Sequence, residues 1–185
     1  MAAMQTPVCD FGREAVDFRL ADPSGRTFTL ADVRGTAATL VMFICNHCPY
    51  VQAVIDRLVT DVEALRAVGV GAVAIMANDY SRYPDDAPAR MVEFARRHRL
   101  DFPYLVDETQ AVARAYGAVC TPDFFGYNAD LRLQYRGRID DAGPRGSAPK
   151  VRELYEAMAQ IARTGTGPAE QTASMGCSIK WRSEP

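Results

Sequence analysis

The sequence predicts an α/β fold: a central mixed sheet with helices on both faces. Three observations lead there. Residues 38–44 and Val70 to Ala77 are continuous apolar runs, as strands covered on both faces require. Between them, Pro49 to about Val68 places Val51, Val54, Ile55, Leu58, Val62 and Leu65 at spacings of three and four, one face of an amphipathic helix. A single Gly69 turns that helix into the second strand, making a βαβ unit with a right-handed crossover. Two further pairs of short strands, one before this unit and one after it, supply the antiparallel part.

In chain order, Phe18-Arg19-Leu20 and Thr27-Phe28-Thr29-Leu30 flank Asp22-Pro23-Ser24-Gly25, a tight-turn composition that predicts an N-terminal β-hairpin. After the βαβ unit, Ala87 to His98 predicts a helix with Met91, Phe94 and Ala95 inward. The Arg96-Arg97-His98-Arg99 run suits its C-terminus, where cations complement the dipole. Tyr104-Leu105-Val106 is a short strand, and Asp107 to Tyr116 a short helix ended by Gly117. Phe124-Phe125-Gly126-Tyr127 and Leu131-Arg132-Leu133-Gln134-Tyr135 flank Asn128-Ala129-Asp130, a second hairpin. Asp141 to Pro149 is a Gly/Pro/Ser loop, and Val151 to Ala162 a terminal helix with Leu154, Met158 and Ile161 as its stripe. The chain then divides into a flexible N-terminus (1–12), one folded body (13–163), and a linker and tail (164–185), with no internal repeat. The order βαβ, helix, antiparallel hairpin, helix is a thioredoxin-like arrangement with a C-terminal tail extension. An arrangement of elements does not by itself name a function.

Bulk properties exclude several classes. Lys+Arg (21) nearly balance Asp+Glu (23), and no basic block stands out, so nucleic acid is not an expected partner. No apolar stretch approaches the roughly 18 residues of a membrane helix. Met1 to Asp10 has neither a basic start nor an apolar run, so no secretory signal is expected. Five cysteines without a signal point to a reducing compartment, the cytoplasm, where paired thiols serve catalysis or metal binding more often than structure.

Cys45-Asn46-His47-Cys48 lies between the first apolar run and the helix from Pro49. Two cysteines at a strand-to-helix junction are placed for reversible disulfide chemistry. The unpaired N–H groups and positive dipole end of a helix N-terminus stabilise a thiolate, and a protonated His47 acts in the same direction. Thr121-Pro122, directly before an apolar strand, is a candidate cis peptide. In this order of elements its loop returns against the C-x-x-C, with the backbone groups of Thr121 free to pair with an extended substrate strand.

These motifs, with Asp107-Glu108-Thr109-Gln110 leading to Ala115-Tyr116-Gly117, resemble the redoxin superfamily. From about Phe18 to Trp181 the chain is similar to peroxiredoxin-like (AhpC/TSA-type) thioredoxin-family proteins that carry Cys-Asn-His-Cys-Pro-Tyr and end in Gly-Cys-Ser-Ile-Lys-Trp, here Gly176 to Trp181. The resemblance implies a thioredoxin fold, thiol–disulfide or antioxidant activity and no organic cofactor. Its partners would be a disulfide substrate and an external thiol reductant.

Two mechanisms follow. In the thioredoxin mechanism Cys45 is the nucleophile, Cys48 resolves the mixed disulfide, His47 tunes their pKa values, and Thr121 and Pro122 orient the substrate. In the peroxiredoxin mechanism Cys48-Pro49 corresponds to the peroxidatic Cys-Pro. The family pattern wants a proline and a Thr or Ser where this chain has Val41 and Cys45, and its arginine falls where Pro122 stands, so disulfide exchange is favoured.

Cys120 and Cys177 are candidate additional thiols, each readable instead as a buried or incidental cysteine. A third, non-enzymatic reading joins Cys45, Cys48, His47 and either of them in a zinc or copper(I) site. Cys9 is expected to be unimportant. Asp79-Tyr80 and the Asp140-Asp141 pair are expected in solvated loops, His98 at the surface, and Trp181 against the body.

Overall fold

The structure, a computed structural model, describes residues 3–142, 148–149 and 151–183. The core of the predicted Gly/Pro/Ser loop, 143–147, lies outside the described residues.

The N-terminal hairpin is β2 (Arg19–Ala21) and β3 (Thr27–Thr29), after a first strand, β1 (Ala3–Gln5). Its turn is held by the Asp22 carboxyl, which accepts from the Ser24 and Arg26 N–H groups, and Gly25 takes φ +88. Leu30 to Val33 forms an unforeseen single-turn helix, α1. A capping box starts it, with Thr29 and Asp32 satisfying each other's backbone N–H. Then come β4 (Ala38–Phe43), α2 (Pro49–Arg66) and β5 (Val70–Met76), the predicted βαβ unit with β4 and β5 parallel.

A 3₁₀ turn (Pro84–Asp86) leads into α3 (Pro88–His98), which ends at Arg99 in the left-handed region after Arg96, Arg97 and His98. The strand β6 (Tyr104–Val106) precedes α4 (Ala111–Tyr116). Residues 107–110, predicted as the first turn of α4, form a separate turn: Gln110 has φ +63, and the Asp107 carboxyl accepts from Ala113 N–H instead. The strands β7 (Cys120–Thr121), β8 (Asp123–Asn128) and β9 (Leu133–Tyr135), the helix α5 (Glu153–Thr164) and the strand β10 (Met175–Ser178) complete the chain.

Seven strands form one mixed sheet in the order β3-β2-β6-β5-β4-β8-β9. Alternation along the strands divides its core. Leu40 and Met42 join Ile55, Leu58, Met91, Phe94, Met158 and Ile161 from α2, α3 and α5 on one face. Val41, Phe43, Val73 and Ile75 meet Leu30, Val33, Ala113 and Tyr116 from α1 and α4 on the other. At Gly71 the chain of α1 lies so close that an added Cβ would sit 2.2 Å from the Val33 carbonyl oxygen. No described helix is long and apolar enough to cross a membrane.

The two chain ends depart from the expected division. They form a second, three-stranded sheet in the order β1-β10-β7. Ala3–Gln5 pairs with Met175–Cys177, and Cys177 and Ser178 pair with Thr121 and Cys120. Residues 3–5 are therefore strand-paired, and the tail strand is part of the body. Lys180 N–H donates to Asn78 Oδ1, and the Lys180 carbonyl accepts from Asp79 N–H and Gln110. Trp181 packs on the second core under Arg114, whose guanidinium lies 4.5 Å from its ring.

Candidate active site

The β4–β8 register places Phe43 opposite Asp123, so the chain leaving β4 toward Cys45 meets the chain entering β8 from Thr121. The Thr121–Pro122 peptide is cis. Thr121 touches both thiols of the C-x-x-C. Its hydroxyl lies 3.3 Å from Cys45 Sγ, and its carbonyl oxygen accepts from Cys48 Sγ at 3.1 Å. Both sulfurs are buried in the core beneath α2.

The helix α2 starts at Pro49, with Cys48 as its N-cap in extended backbone. Proline at the first helical position costs no hydrogen bond and presets φ. The positive end of the helix therefore acts on Cys48, not on Cys45, where the sequence placed the nucleophile. Cys48 is lowered to about 5 by a hydrogen bond from the Cys45 thiol, against the opposing effect of burial; Cys177, the Val51 N–H and Thr121 add to it. Cys45 is raised well above the ordinary thiol value by the same thiol–thiolate hydrogen bond, by burial and by the Asp86 charge. The pair is polarised with the negative charge on Cys48, and the bond to the Thr121 carbonyl belongs to its protonated form.

A buried acid that sequence reasoning did not single out holds the loop between the cysteines. Asp86, fully enclosed at the end of the 3₁₀ turn, accepts from Asn46 N–H (2.8 Å), His47 N–H (3.3 Å), His47 Nδ1 (2.6 Å) and Asn78 Nδ2 (2.8 Å). Asn46 is fixed further by Tyr104 Oη, which donates to its Oδ1, and by its own donation to the Asp85 carbonyl. His47 stacks on Tyr83, and its pKa is raised by the bond to Asp86 despite partial burial. Its Nε2 is enclosed without a hydrogen-bond partner. The only sequence signal for Asp86 was an acid in a Pro-rich turn far along the chain.

Of the other candidates, Cys120 is buried beside the site; its thiol donates to the Pro122 carbonyl at 3.5 Å, and burial pushes its pKa up. Cys177 is covered within β10, opposite Thr121; burial first, and then the neighbouring Cys48, push its pKa up to about 12. Cys9 is half-buried on the second core, and burial pushes it to about 11. All five cysteines are free. Ligand atoms of Cys45, His47 and Asp86 lie within 4.8 Å of one another, a different set from the thiolate group expected for a metal.

Two expectations of solvent exposure are corrected. Asp140 is buried and paired with Arg57 at 2.6 Å. Asp79 is buried under the tail that its backbone anchors. His98 ends α3 at the surface, as the sequence predicts, partly covered and 2.7 Å from the exposed Asp56 of α2. Pro122 does stand just before β8. The arginine nearest that end, Arg136, is buried against Asp123 at 2.9 Å and over the Phe125 ring.

A solved structure of an uncharacterized conserved protein from Geobacillus kaustophilus is 41% identical, with a TM-score of 0.93 over 100% of this chain and 99% of that one. Two Mycobacterium tuberculosis structures, each 18% identical, share the fold. A secreted disulfide oxidoreductase has a TM-score of 0.57 over 79% of this chain and 94% of its own. The peroxidoxin BcpB has 0.56 over 82% and 92%. No protein of curated function matches. The fold is thioredoxin-like, and the AhpC/TSA family model matches residues 11–141, most of the chain. The chain belongs to the AhpC/TSA family.

Proposed function

We propose that this protein is a thiol–disulfide oxidoreductase whose redox pair is Cys45 and Cys48, with Cys48 as the nucleophile. The polarisation of the pair carries this reading: Cys48 caps α2 and accepts from Cys45. The Cys48 thiolate attacks one sulfur of a substrate disulfide. The substrate S–S bond breaks, and one substrate thiolate leaves and takes up a proton. Cys45, deprotonated, then attacks Cys48, forming the Cys45–Cys48 disulfide and releasing the second substrate thiol. An external thiol returns two electrons and two protons to the pair. His47, held by Asp86, keeps positive charge beside the thiolate, and Thr121 and Pro122 orient the substrate. A pair that must be re-reduced by thiols suits the cytoplasm.

Reduction of oxidised glutathione or a protein disulfide tests this. Cys48→Ser should abolish turnover, and Cys45→Ser/Cys177→Ser, which lacks both thiols that could displace it, should trap the substrate on Cys48. Turnover by Cys48→Ser, or an adduct on Cys45, overturns the assignment. A second reading, peroxide reduction by Cys48, is favoured by the Cys48-Pro49 helix start and disfavoured by the engagement of Arg136 with Asp123. Thiol-dependent consumption of hydrogen peroxide separates the two. Stoichiometric zinc or copper that blocks alkylation in protein purified without chelator would replace both.

A further inference from the structure

The tail strand occupies the edge along which a substrate strand would have to lie. β10 runs antiparallel to β7, with Cys177 opposite Thr121, the residue that holds both active-site sulfurs. The fit is close: an added Cβ on Gly176 would sit 2.1 Å from the Thr121 carbonyl oxygen. Cys177 lies opposite the residue whose carbonyl accepts from Cys48 Sγ, and is buried in the same core cluster as Cys45 and Cys48. Beyond β10 the chain is fastened at Lys180, Trp181 and Arg182 by Asn78, Asp79, Gln110 and Arg114. Cys177 is thus tethered within a few residues of a fixed point, which gives it a high effective concentration at Cys48.

Resting on the redox-pair reading above, we propose that β10 is an internal substrate strand whose Cys177 exchanges with the Cys45–Cys48 disulfide to give a Cys48–Cys177 disulfide. The exchange is redox-neutral. Cys177 loses its proton and attacks Cys48 Sγ. The Cys48–Cys177 bond forms, the Cys45–Cys48 bond breaks, and its electron pair and a proton end on Cys45. Entry of an external strand requires β10 to leave Thr121, and its return delivers Cys177 to Cys48. In the exchanged form the tail is locked over the site until an external thiol reduces it.

The full chain, equilibrated with oxidised glutathione, alkylated and digested with trypsin, tests this directly. Cysteines 45 and 48 fall in the tryptic peptide 35–57 and Cys177 in 164–180. The expected product is a disulfide joining these two peptides in the wild type and more abundantly in Cys45→Ser, mapped to Cys48 by fragmentation. In Cys45→Ser/Cys177→Ser, glutathione on Cys48 should accumulate about tenfold over Cys45→Ser alone, because the tethered competitor is gone. A wild type with only Cys45–Cys48, together with a Cys45→Ser variant that keeps glutathione on Cys48 and Cys177 free, overturns the proposal and leaves the redox pair standing. No disulfide or adduct at Cys48 in any variant overturns the redox-pair reading itself.

Discussion

Asp86→Asn should destabilise the protein, and more at low pH than at high pH. The wild-type carboxyl accepts three bonds of 2.6 to 2.8 Å and a longer one of 3.3 Å, at a fully enclosed position. The amide keeps one acceptor oxygen, which can serve the Asn46 N–H. Its NH₂ then faces two donors, Asn78 Nδ2 and His47 Nδ1. A buried donor left without a partner costs about 1–3 kcal/mol. When His47 is neutral it can accept at Nδ1, so only Asn78 loses its partner and the loss is about 1–3 kcal/mol. When His47 is protonated both donors are orphaned and the loss is about 2–6 kcal/mol. The sign agrees with linkage. The folded-state pKa of His47 is raised above 6.5 by Asp86, so the stability it contributes is fully present below 6.5 and is lost as pH rises through the folded value. Urea unfolding at pH 5.5 and pH 8, each with its m-value, measures the difference. At about 2–4 °C per kcal/mol for a chain of this size, the midpoint temperature should fall by roughly 4 to 24 °C at the lower pH. Titration of His47 by NMR, with His98→Gln to assign the two histidines, should show its pKa falling. Equal urea midpoints for variant and wild type at both pH values, or an unmoved His47 titration, would refute the reasoning.

Three other expectations follow from particular contacts. Cys48 should react with iodoacetamide with a midpoint near about 5, and Cys45→Ala should move that midpoint upward because it removes the largest stabiliser of the thiolate; an unchanged pH–rate profile argues that the sulfur pair is not polarised this way. Arg136→Met leaves the Asp123 carboxyl buried without its cation, a loss of about 3–5 kcal/mol in urea unfolding at pH 7. Burial already raises the Asp123 pKa, so this deficit should shrink as pH falls and the group protonates, and a deficit that grows in acid contradicts it. Gly71→Ala drives a methyl group against the Val33 carbonyl oxygen and should cost about 1–3 kcal/mol, whereas a neutral result would mean α1 shifts freely on β5.

Much of the fold was legible because the relevant signals are local. The β4 and β5 runs, the stripe on α2 and the turn residues at Asp22–Gly25 and Asn128–Asp130 each act over a few residues, and the elements formed where those patterns lie. The false start of α4 has a local cause as well: Asp107 caps by accepting from Ala113, and Gln110 in the left-handed region breaks the helix that composition suggested. The ends of the chain misled for a different reason. Ala3–Gln5 and Met175–Ser178 carry weak intrinsic strand signals, and they become strands only because β7 offers an unpaired edge to β10 and β10 offers one to β1.

The site divides in the same way. By itself the sequence determined the chemistry available: two thiols spaced at a strand-to-helix junction, a histidine between them and a Thr-Pro before a strand. Those signals survive without knowledge of the rest of the chain because residue type and short spacing carry them. Tertiary structure decided which sulfur sits at the helix start and what covers it. A helix that begins at Pro49 places its positive end at Cys48. Asp86, distant in sequence, fixes the loop and the histidine, and Cys177 is brought opposite Thr121 by strand pairing across more than fifty residues. A thiol's pKa depends on the fields and donors within a few ångströms of it, and those neighbours are assembled only when the chain folds.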